Sequence, residues 1–520
     1  MDLWRMSATA LSSALARRDV SAREVLAAHI ARIDAVDPRV RAFTEVLREH
    51  AAADADASDA RRSRGEARGA LDGVPVTIKE CYDVAGRPTT LGIPAWRGRV
   101  AERDAAMVVA LRDAGAVVLG RTNLSQTMLY VESKNPIFGQ TANPWSMGHS
   151  PGGSSGGEAA AIAAGMSPLG LGTDIGGSIR TPASFCGIAG FKPSLDRLPM
   201  QGYRSVNPGQ ETVRAMAGPL ARTVDDLVLF LRALDPRRLS ALDPRVPPVA
   251  LEEPERVSTR GLRVGTYTDD GVLPASVALG RAVARAGAAL EARGCEVRPF
   301  HPPDVRDLLA AYIGALSADG AVRIRAVLAS GDVDPSIDAL RRVVAFPPAV
   351  RKVASRLARV FGQSGLALLL DATGEKTVDG LWQITLALRE HRAKLLDAMV
   401  EQGVDALVGP AYATPALPHG GSRGFTLASS YSMLFNAHQF PAGVIPVTRV
   451  RPEEARRPRA RDGLARRAAA VDAKSAGLPV GVQVAARPWQ DSLVLALMKA
   501  VESEVAGDDG FPATPVEPRG

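Results

Sequence analysis

Hydrophobic and polar positions along the chain follow two alternating spacings. The sequence Ser-Ala-Arg-Glu at 21–24 is a capping box, and Leu26 and Ile30 after it share one face of a helix. Residues 73–78 and 115–120 are short apolar runs beside glycine, a pattern typical of buried strands. The first part of the chain therefore predicts helices and buried strands in turn.

The same alternation continues towards the carboxyl-terminal end. Further strands are predicted at 262–266, 295–299, 406–409, 443–450 and 478–484, and helices at 104–113, 158–164, 275–292, 490–505 and, as one long stretch, 304 to about 402. This alternation predicts an α/β fold with a sheet covered on both faces by helices. The segment 451–474, rich in Arg, Ala, Glu and Pro, has little to bury and is predicted to be an exposed surface insertion.

The positive charge of the chain is concentrated in two segments. The composition, 46% hydrophobic and 23% charged, excludes a disordered protein, and the net charge of +7 suits nucleic acid, an anionic membrane or an acidic substrate. Residues 341–370 carry six basic and no acidic residues, and 449–474 carry nine basic and four acidic ones. Because the rest of the chain is mildly acidic and no RRM, KH or helix-turn-helix pattern occurs, we expect no nucleic-acid partner.

The cysteines and the amino-terminal residues bear on the compartment. Cys81, Cys186 and Cys295 are too few for a disulfide framework and lack the spacing of a zinc site, so no metal is predicted. Residues 1–18 lack the regions of a secretory signal, and no apolar run is long enough to span a membrane. We expect a cytoplasmic location.

A Gly/Ser-rich loop, Pro-Gly-Gly-Ser-Ser-Gly-Gly-Glu at 151–158, is the first segment suited to chemistry. It lacks the lysine of a phosphate-binding P-loop. Residues 152–156 fit the G-x-S-x-G pattern of a nucleophile elbow, but this pattern occurs by chance in loops of such composition. For this segment alone, a flexible loop without function is an equal alternative.

Two further features favour a catalytic role. At 172–180, the sequence Gly-Thr-Asp-Ile-Gly-Gly-Ser-Ile-Arg can aim consecutive backbone N–H groups at one point beside the Ser178 hydroxyl. Lys79 ends the apolar run 73–78, where burial would lower its pKa and provide a neutral amine as a base. The chain has only eight Lys against 55 Arg, which fits this role, although a surface-reaching lysine is the alternative. His438, which a Ser-His-Asp arrangement would need, has an ordinary context that favours a core or surface imidazole.

These segments resemble the amidase signature family, most closely its fatty acid amide hydrolase branch. The likeness rests on residues 73–80, 151–158 and 170–193 and is extended by 135–145, 439–448, 477–483 and 485–490. The resemblance implies the amidase signature fold, a large mixed twisted β-sheet covered on both faces by α-helices. It assigns residues 1–505 to a single amidase domain, followed by a flexible tail at 506–520.

The resemblance also implies a catalytic triad. Ser178 is expected to be the nucleophile, Ser154 a bridging serine on a cis peptide bond, and Lys79 the base. Neutral Lys79 would take a proton from Ser154 as Ser154 takes one from Ser178, whose alkoxide attacks the amide carbonyl to give an acyl-enzyme. This chemistry requires no metal and no cofactor.

Further residues are implied to bind the substrate or to support the triad. The predicted substrate-binding residues are Met128 in the acyl pocket and the oxyanion-hole residues Ile175, Gly176, Gly177 and Ser178, which act through their backbone N–H groups. The residues expected to orient the loops are Ser155, Asp174 and Arg180.

The implied function is hydrolysis of linear amides, and of esters as a variant, with a hydrophobic or fatty acyl group. The expected partner is therefore a small lipophilic amide, and a homodimer is compatible with the sequence. Two alternatives stay open. An amidotransferase A subunit, which forms Gln-tRNA within a complex, shares the core motifs, and a general or aryl acylamidase would differ in the acyl group.

The segment 339–370 is predicted to be a membrane-facing helical cap. Its helical wheel separates the apolar Val350, Val353, Leu357, Val360 and Phe361 from the basic Arg351, Lys352, Arg356 and Arg359. A basic amphipathic helix of this kind is typical of a peripheral membrane contact, here through 341–370. The alternative is an ordinary surface helix packed on the core, and the family resemblance favours the cap.

Overall fold

An eleven-stranded mixed sheet forms the centre of the computed structural model, which describes residues 2–458 and 462–519. The strands are β1 (Phe43–Val46), β2 (Pro75–Lys79), β3 (Val117–Thr122), β4 (Lys134–Asn135), β5 (Gly139–Gln140), β6 (Leu169–Asp174), β7 (Ala189–Lys192), β8 (Met216–Ala221), β9 (Arg263–Thr266), β10 (Glu296–Pro299), β11 (Ala406–Gly409), β12 (Ala442–Arg449) and β13 (Pro479–Ala486). The spatial order is β1-β3-β2-β6-β8-β7-β12-β13-β11-β9-β10, with β4 and β5 forming a separate pair. Neighbours are parallel within β3-β2-β6 and within β11-β9-β10 and antiparallel elsewhere in the large sheet.

Helices flank this sheet and confirm the predicted α/β class. They are α1 (Ala8–Arg17), α2 (Ala22–Val40), α3 (Arg48–Ser63), α4 (Ala106–Asp113), α5 (Gly156–Ala163), α6 (Arg180–Cys186), α7 (Val224–Arg232), α8 (Pro236–Leu242), α9 (Val277–Ala292), α10 (Val305–Leu316), α11 (Val322–Val327), α12 (Pro335–Ala345), α13 (Pro348–Val360), α14 (Ser364–Ala372), α15 (Val378–Glu401), α16 (Ser430–Ala437), α17 (Gly463–Asp472) and α18 (Asp491–Val505).

The capping box and the buried strands are present as predicted. At the start of α2, the Glu24 N–H donates to Ser21 Oγ at 3.1 Å, and the Ser21 N–H donates to the Glu24 carboxylate at 2.8 Å. Strands β2, β3 and β13 are buried along their whole length. Short apolar runs between glycines therefore gave reliable strand positions in this chain.

The stretch 139–190 is dense in Gly and Ser and differs from the prediction, which places only the helix at 158–164 there. It contains β6, and β7 lies at its end. A Cβ on Gly172 of β6 would lie 2.8 Å from the Leu220 side chain and 3.0 Å from Ser155 Oγ, so this strand needs glycine for close packing. Because such glycines interrupt the apolar alternation, the strand cannot be recognised from its pattern.

The long helical stretch from 304 to about 402 is six separate helices, α10 to α15. Pro335 and Pro348 occupy the first positions of α12 and α13, where proline is favoured because a first-turn N–H has no helical acceptor. Gly362 and Gly374 adopt positive φ of 67° and 115° and separate α13, α14 and α15. Proline and glycine thus break a pattern whose hydrophobic spacing alone reads as continuous.

Part of the predicted insertion at 451–474 packs on the body of the protein. Ala468 and Val471 of α17 are buried. Arg457 and Asp472 form an ion pair at 2.8 Å with both side chains almost fully buried. The prediction of an exposed segment is wrong for these residues, because α17 presents a small apolar face that the basic composition conceals. Arg459 and Arg461 lie outside the described residues.

The carboxyl-terminal residues 506–519 also contact the body. Val516 is buried, and its N–H donates to the Ala163 carbonyl at 2.8 Å. The Arg519 N–H donates to the Pro144 carbonyl at 3.0 Å. This segment differs from the expected flexible tail because backbone hydrogen bonds hold it, whereas the assignment of 1–505 to one amidase domain stays a prediction.

The predicted cap, 339–370, buries some of its apolar side chains, such as Val344 and Leu370, and exposes others. Val360 is 79% and Phe361 is 73% exposed. We define the exposed apolar set as the exposed large apolar residues of this region and of early α15: Phe346, Val350, Val353, Leu357, Val360, Phe361, Leu366, Val378, Trp382 and Leu386. Arg351 differs from the predicted basic face, since it is buried and its Nη1 donates to the Val344 carbonyl at 3.1 Å. Within the described ranges, no helix has both the length and the apolar character that a membrane span requires.

Candidate active site

Lys79 lies at the end of β2, fully buried. Its Nζ donates to Ser154 Oγ at 2.7 Å and to Thr173 Oγ1 at 2.8 Å. Burial lowers the pKa of Lys79 from 10.5 to about 8, and nearby thiol and carboxyl groups offset only part of this effect. The alternative of a lysine that reaches the surface is excluded, and more of this amine is neutral near neutral pH than of an exposed lysine.

Ser154 and Ser178 come from two loops that lie side by side. The Gly153–Ser154 peptide bond is cis, in agreement with the family resemblance. The Ser155 N–H donates to the Ser178 carbonyl at 3.1 Å and thereby joins the loops. Ser154 is buried and Ser178 is half-buried, and both line the same cavity. The structure therefore brings the predicted triad residues to one place.

Asp174 and Arg180 form a fully buried ion pair beside the nucleophile loop. The Arg180 Nε and Nη2 atoms donate to the two Asp174 carboxylate oxygens, each at 3.0 Å. The same carboxylate accepts from the N–H groups of Gly177 at 2.8 Å and Ile179 at 3.1 Å. Burial favours the neutral acid, but the Arg180 charge outweighs it and holds the pKa of Asp174 well below its usual range. This carboxylate therefore stays ionised and fixes the turn that contains Ser178.

Sequence reasoning missed the residues on the far side of Arg180. Its Nη1 donates to Gln483 Oε1 at 2.7 Å, and its Nη2 donates to Asn436 Oδ1 at 2.5 Å. The Asn436 amide in turn donates to Asp174 Oδ1 at 2.9 Å. Both amides lie in buried segments, α16 and β13, and a lone Gln or Asn within an apolar run is the signal that could have identified them.

Ser155 and Thr173 connect the serine loop to the base. Ser155 Oγ donates to the Thr173 carbonyl at 3.2 Å and accepts from the Thr173 N–H at 3.3 Å. Since Thr173 Oγ1 also accepts from Lys79, Thr173 belongs to the site although sequence reasoning did not select it. Glu158, in the first turn of α5, is a buried carboxyl whose pKa burial raises to about 8.

The four predicted oxyanion donors are not equivalent. The Gly177 N–H donates to Asp174, so it is not directed at a substrate oxygen. Gly177 has a φ of +108°, and a Cβ there would lie 2.6 Å from Ser432 Cβ, so only glycine fits. The N–H groups of Ile175, Gly176 and Ser178 donate to no protein acceptor among the described residues. This correction reduces the candidate oxyanion hole to three N–H groups.

Two cavities of opposite character meet at Ser178. One has a volume of about 150 Å³ and is mainly apolar, with Met128, Ile175, Tyr312 and Leu316 among its lining residues. The other has a volume of about 340 Å³ and is lined by many polar and charged residues, including Ser154, Asp196, Glu211, Arg214 and Arg245. Met128, predicted to line an acyl pocket, contributes to both cavities. An amide at Ser178 would therefore have an apolar side and a polar side.

His438, the late histidine of the chain, lies in the core. Its ring is buried, with Nδ1 2.6 Å from the Leu434 carbonyl and Nε2 3.1 Å from the His391 carbonyl, so of the two predicted settings, core or surface, the structure shows the core. Within residues 2–458 and 462–519, no group of three His, Cys, Asp or Glu side chains is placed to hold a metal ion. The buried Lys79 combines a pKa lowered to about 8 with a direct hydrogen bond to Ser154, which makes it the candidate base.

Known proteins resemble this chain over most of its length. The Amidase family pattern matches residues 24–495. "Fatty-acid amide hydrolase 1" of Sus scrofa is 38% identical over 457 residues, which are 86% of this chain and 78% of that protein. The glutamyl-tRNA(Gln) amidotransferase A subunit of Acidothermus cellulolyticus is 42% identical over 271 residues, 52% of this chain and 53% of that protein. A solved structure described as "Fatty acid amide hydrolase" has a TM-score of 0.86 at 25% identity and covers 97% of this chain and 86% of its own.

Proposed function

This chain belongs to the amidase signature family and is an amide hydrolase, and on that premise we propose that it cleaves amides through a Ser178, Ser154 and Lys79 triad. The observation that carries the proposal is the 2.7 Å hydrogen bond between the buried Lys79 Nζ and Ser154 Oγ, beside a cavity that Ser178 shares. A lysine fully withdrawn from solvent and placed against a serine is suited to remove a proton.

The proposed reaction passes through an acyl-enzyme. Neutral Lys79 takes a proton from Ser154 while Ser154 takes one from Ser178, and the Ser178 oxygen attacks the amide carbonyl. The N–H groups of Ile175, Gly176 and Ser178 stabilise the negative charge on the carbonyl oxygen. The proton then returns through Ser154 to the leaving amine, and water releases the acyl group from Ser178. Ser155, Asp174 and Arg180 hold the two loops in position.

The substrate is proposed to carry a hydrophobic acyl group. The apolar cavity that contains Met128 would accept it, and the polar cavity around Arg214 and Glu211 would accept the amine. The similarity to fatty acid amide hydrolase 1 supports a fatty acyl group. The apolar cavity volume of about 150 Å³ is similar to that of a cavity that holds benzene, and therefore favours a short or aryl acyl group as the second candidate.

The exposed apolar set is proposed to make a peripheral membrane contact. An exposed apolar surface of this extent is uncommon on a protein that only meets water. Lys352 and Arg356 are exposed on the same helix and would face anionic headgroups, whereas Arg359 pairs with Asp371. A homodimer that covers the same side chains is the competing outcome.

The amidotransferase alternative has weaker support. The match to the amidotransferase protein covers 52% of this chain, whereas the match to fatty acid amide hydrolase 1 covers 86%. A glutaminase activity that required partner proteins would favour the amidotransferase. The coverage therefore favours a hydrolase that acts without RNA.

An amide panel tests the proposal directly. Hexanoyl, benzoyl and oleoyl amides of one chromogenic amine are hydrolysed by wild type and by Ser178→Ala. We expect wild type to cleave at least one, and Ser178→Ala to lose at least about 10³-fold in kcat, as for removal of a catalytic serine. Wild-type activity that survives in Ser178→Ala contradicts the nucleophile, and the preferred acyl group decides between the fatty and the short or aryl candidates.

A further inference from the structure

Tyr312 of α10 contacts the nucleophile loop from outside the predicted motifs. Its hydroxyl donates to the Ile175 carbonyl at 2.6 Å, and the side chain is almost fully buried. Burial holds the pKa of Tyr312 well above its usual value, so the hydroxyl stays protonated and remains a donor. A donor from a distant helix therefore holds one end of the loop that leads to Ser178.

The hydrogen bond to the Ile175 carbonyl orients the whole Ile175–Gly176 peptide unit. In a trans peptide, the carbonyl of one residue and the N–H of the next point in opposite directions. Fixing the Ile175 carbonyl therefore also fixes the direction of the Gly176 N–H. That N–H is one of the three oxyanion donors proposed above.

The loop needs an external restraint because two of its consecutive residues are glycines. Gly176 and Gly177 have far more backbone freedom than other residues. An N–H group that is not held in one direction stabilises the transition state less than a preorganised one. Asp174 holds the Gly177 N–H at 2.8 Å on one side. Tyr312 holds the Ile175 carbonyl on the other, and the Gly176 N–H lies between these two restraints.

The approach of Tyr312 also explains why residue 176 is glycine. A Cβ on Gly176 would lie 2.7 Å from the Tyr312 hydroxyl oxygen, closer than a real Cβ contact allows. The glycine and the tyrosine therefore depend on each other. Gly176 has no side chain to restrict the backbone of the loop. The Tyr312 hydroxyl occupies the space of that side chain and restricts the backbone instead.

We propose that Tyr312 is a positioning residue that holds the Ile175–Gly176 peptide so that the Gly176 N–H points to the substrate carbonyl oxygen. This inference rests on the proposed function, since it concerns the transition state of the same reaction. Tyr312 does not touch the reacting atoms in this role. Its contribution belongs to the transition state, because the hydrogen bond to the oxygen strengthens as negative charge develops there.

The test compares Tyr312→Phe with a matched control, Tyr412→Phe. Tyr412 is buried in the same apolar cluster as Tyr312, its hydroxyl donates to the Phe425 carbonyl at 3.4 Å, and it lines neither of the two cavities. Each variant loses one buried hydroxyl and keeps the ring. The number of competent sites in each preparation is counted by stoichiometric labelling with a fluorophosphonate.

We expect Tyr312→Phe to lower kcat per labelled site about tenfold, a fraction of the ~10²–10³ that removal of a whole oxyanion donor costs. KM is expected to stay within about threefold, and the affinity for a trifluoromethyl ketone analogue to fall by the same factor as kcat/KM. Tyr412→Phe is expected to stay within about twofold of wild type in each quantity.

Two outcomes would overturn the inference. One is a kcat and an analogue affinity for Tyr312→Phe that equal those of Tyr412→Phe. The other is a loss confined to the melting temperature and the labelled fraction, which would show a purely structural role. A wild type without amidase activity, or an active Ser178→Ala, would instead overturn the proposed function, so the two failures are distinguishable.

Discussion

In most globular proteins, charged side chains are exposed and large apolar ones are buried. The centre of the site buries charged groups, whereas the cap exposes large apolar ones. Around the nucleophile, Lys79, Asp174 and Arg180 are charged or ionisable and fully buried. On the cap, Val360 and Phe361 are apolar and more than two thirds exposed. Globular proteins rarely bury charges and rarely expose large apolar groups together, so both regions require an explanation.

The difference lies in what each region provides for its unusual side chains. In the centre, each buried charge has partners: Arg180 with Asp174, and Lys79 with two hydroxyls. On the cap, the exposed apolar set has solvent on one side. The first arrangement is complete within this chain and is proposed to serve catalysis, whereas we propose that a partner outside the chain completes the second.

The largest effect is expected at Lys79. Replacing it with Ala removes the base, and we expect kcat/KM to fall by about 10²–10⁴, the range for general acid–base catalysis. In wild type, kcat/KM is expected to rise with pH up to the pKa of about 8 and to level off above it, because the neutral amine is the active form. In Lys79→Ala, this inflection is expected to disappear from the profile.

The control for this change is Lys474→Ala, which removes an exposed lysine and should leave the profile unaltered. A Lys79→Ala profile that runs parallel to that of wild type would show that another group titrates. The buried Lys79 amine would then have a structural role, and the centre of the site could no longer be contrasted with the cap as a region for catalysis.

The next effect concerns stability. In Asp174→Ala, the Arg180 guanidinium is left buried without its partner, which typically costs about 3–5 kcal/mol in the free energy of unfolding. The exposed Arg17–Asp19 pair is the matched control, and Asp19→Ala is expected to change stability by at most about 1 kcal/mol. Urea unfolding at neutral pH measures both, and equal losses would contradict the distinction between buried and exposed charges.

The sequence predicted some strands, helices and site residues correctly and missed others. Buried strands such as β2 could be located because an apolar run of about five residues beside glycine is too short for a buried helix and has the length of a strand. Strand β6 could not, because its glycines are required by neighbours that are distant in sequence. The helices between 304 and 402 were recognised as helical, but their separation depends on Pro and Gly positions that spacing does not reveal.

Within the site, the residues proposed to carry the chemistry could be predicted from the sequence, whereas some of those that hold them could not. Lys79, Ser154 and Ser178 lie in dense motifs, and the structure places them together. Asn436 and Tyr312 lie far from those motifs, and their contacts with the nucleophile loop depend on how α16 and α10 pack. Long-range contacts of single residues leave no local pattern, so they emerge only from the folded chain.

The smallest effect on the protein itself, and the sharpest test of the cap, is the double change Val360→Ser with Phe361→Ser. Both side chains are exposed, so the free energy of unfolding is expected to change by at most about 0.5 kcal/mol for each. Binding to vesicles of phosphatidylcholine and phosphatidylserine should weaken at least about tenfold, because burying one large apolar side chain contributes about 1.5–3 kcal/mol. Sedimentation with the vesicles at two salt concentrations measures the binding. Wild-type binding should weaken at high salt, because Lys352 and Arg356 are proposed to face the headgroups.

Val249→Ser is the control for that change, since Val249 is 51% exposed but lies outside the cap. It should leave vesicle binding unaltered, because the effect depends on the place of the side chain and not on apolar exposure as such. If the double variant binds vesicles as wild type does but shifts from dimer to monomer in sedimentation velocity, the cap contacts a second copy of the chain and the membrane proposal is wrong. Either result would identify a partner that covers the exposed apolar set. A membrane partner would mean that the hydrophobic substrate enters the apolar cavity from the membrane, and a second copy of the chain would mean that it enters from solution.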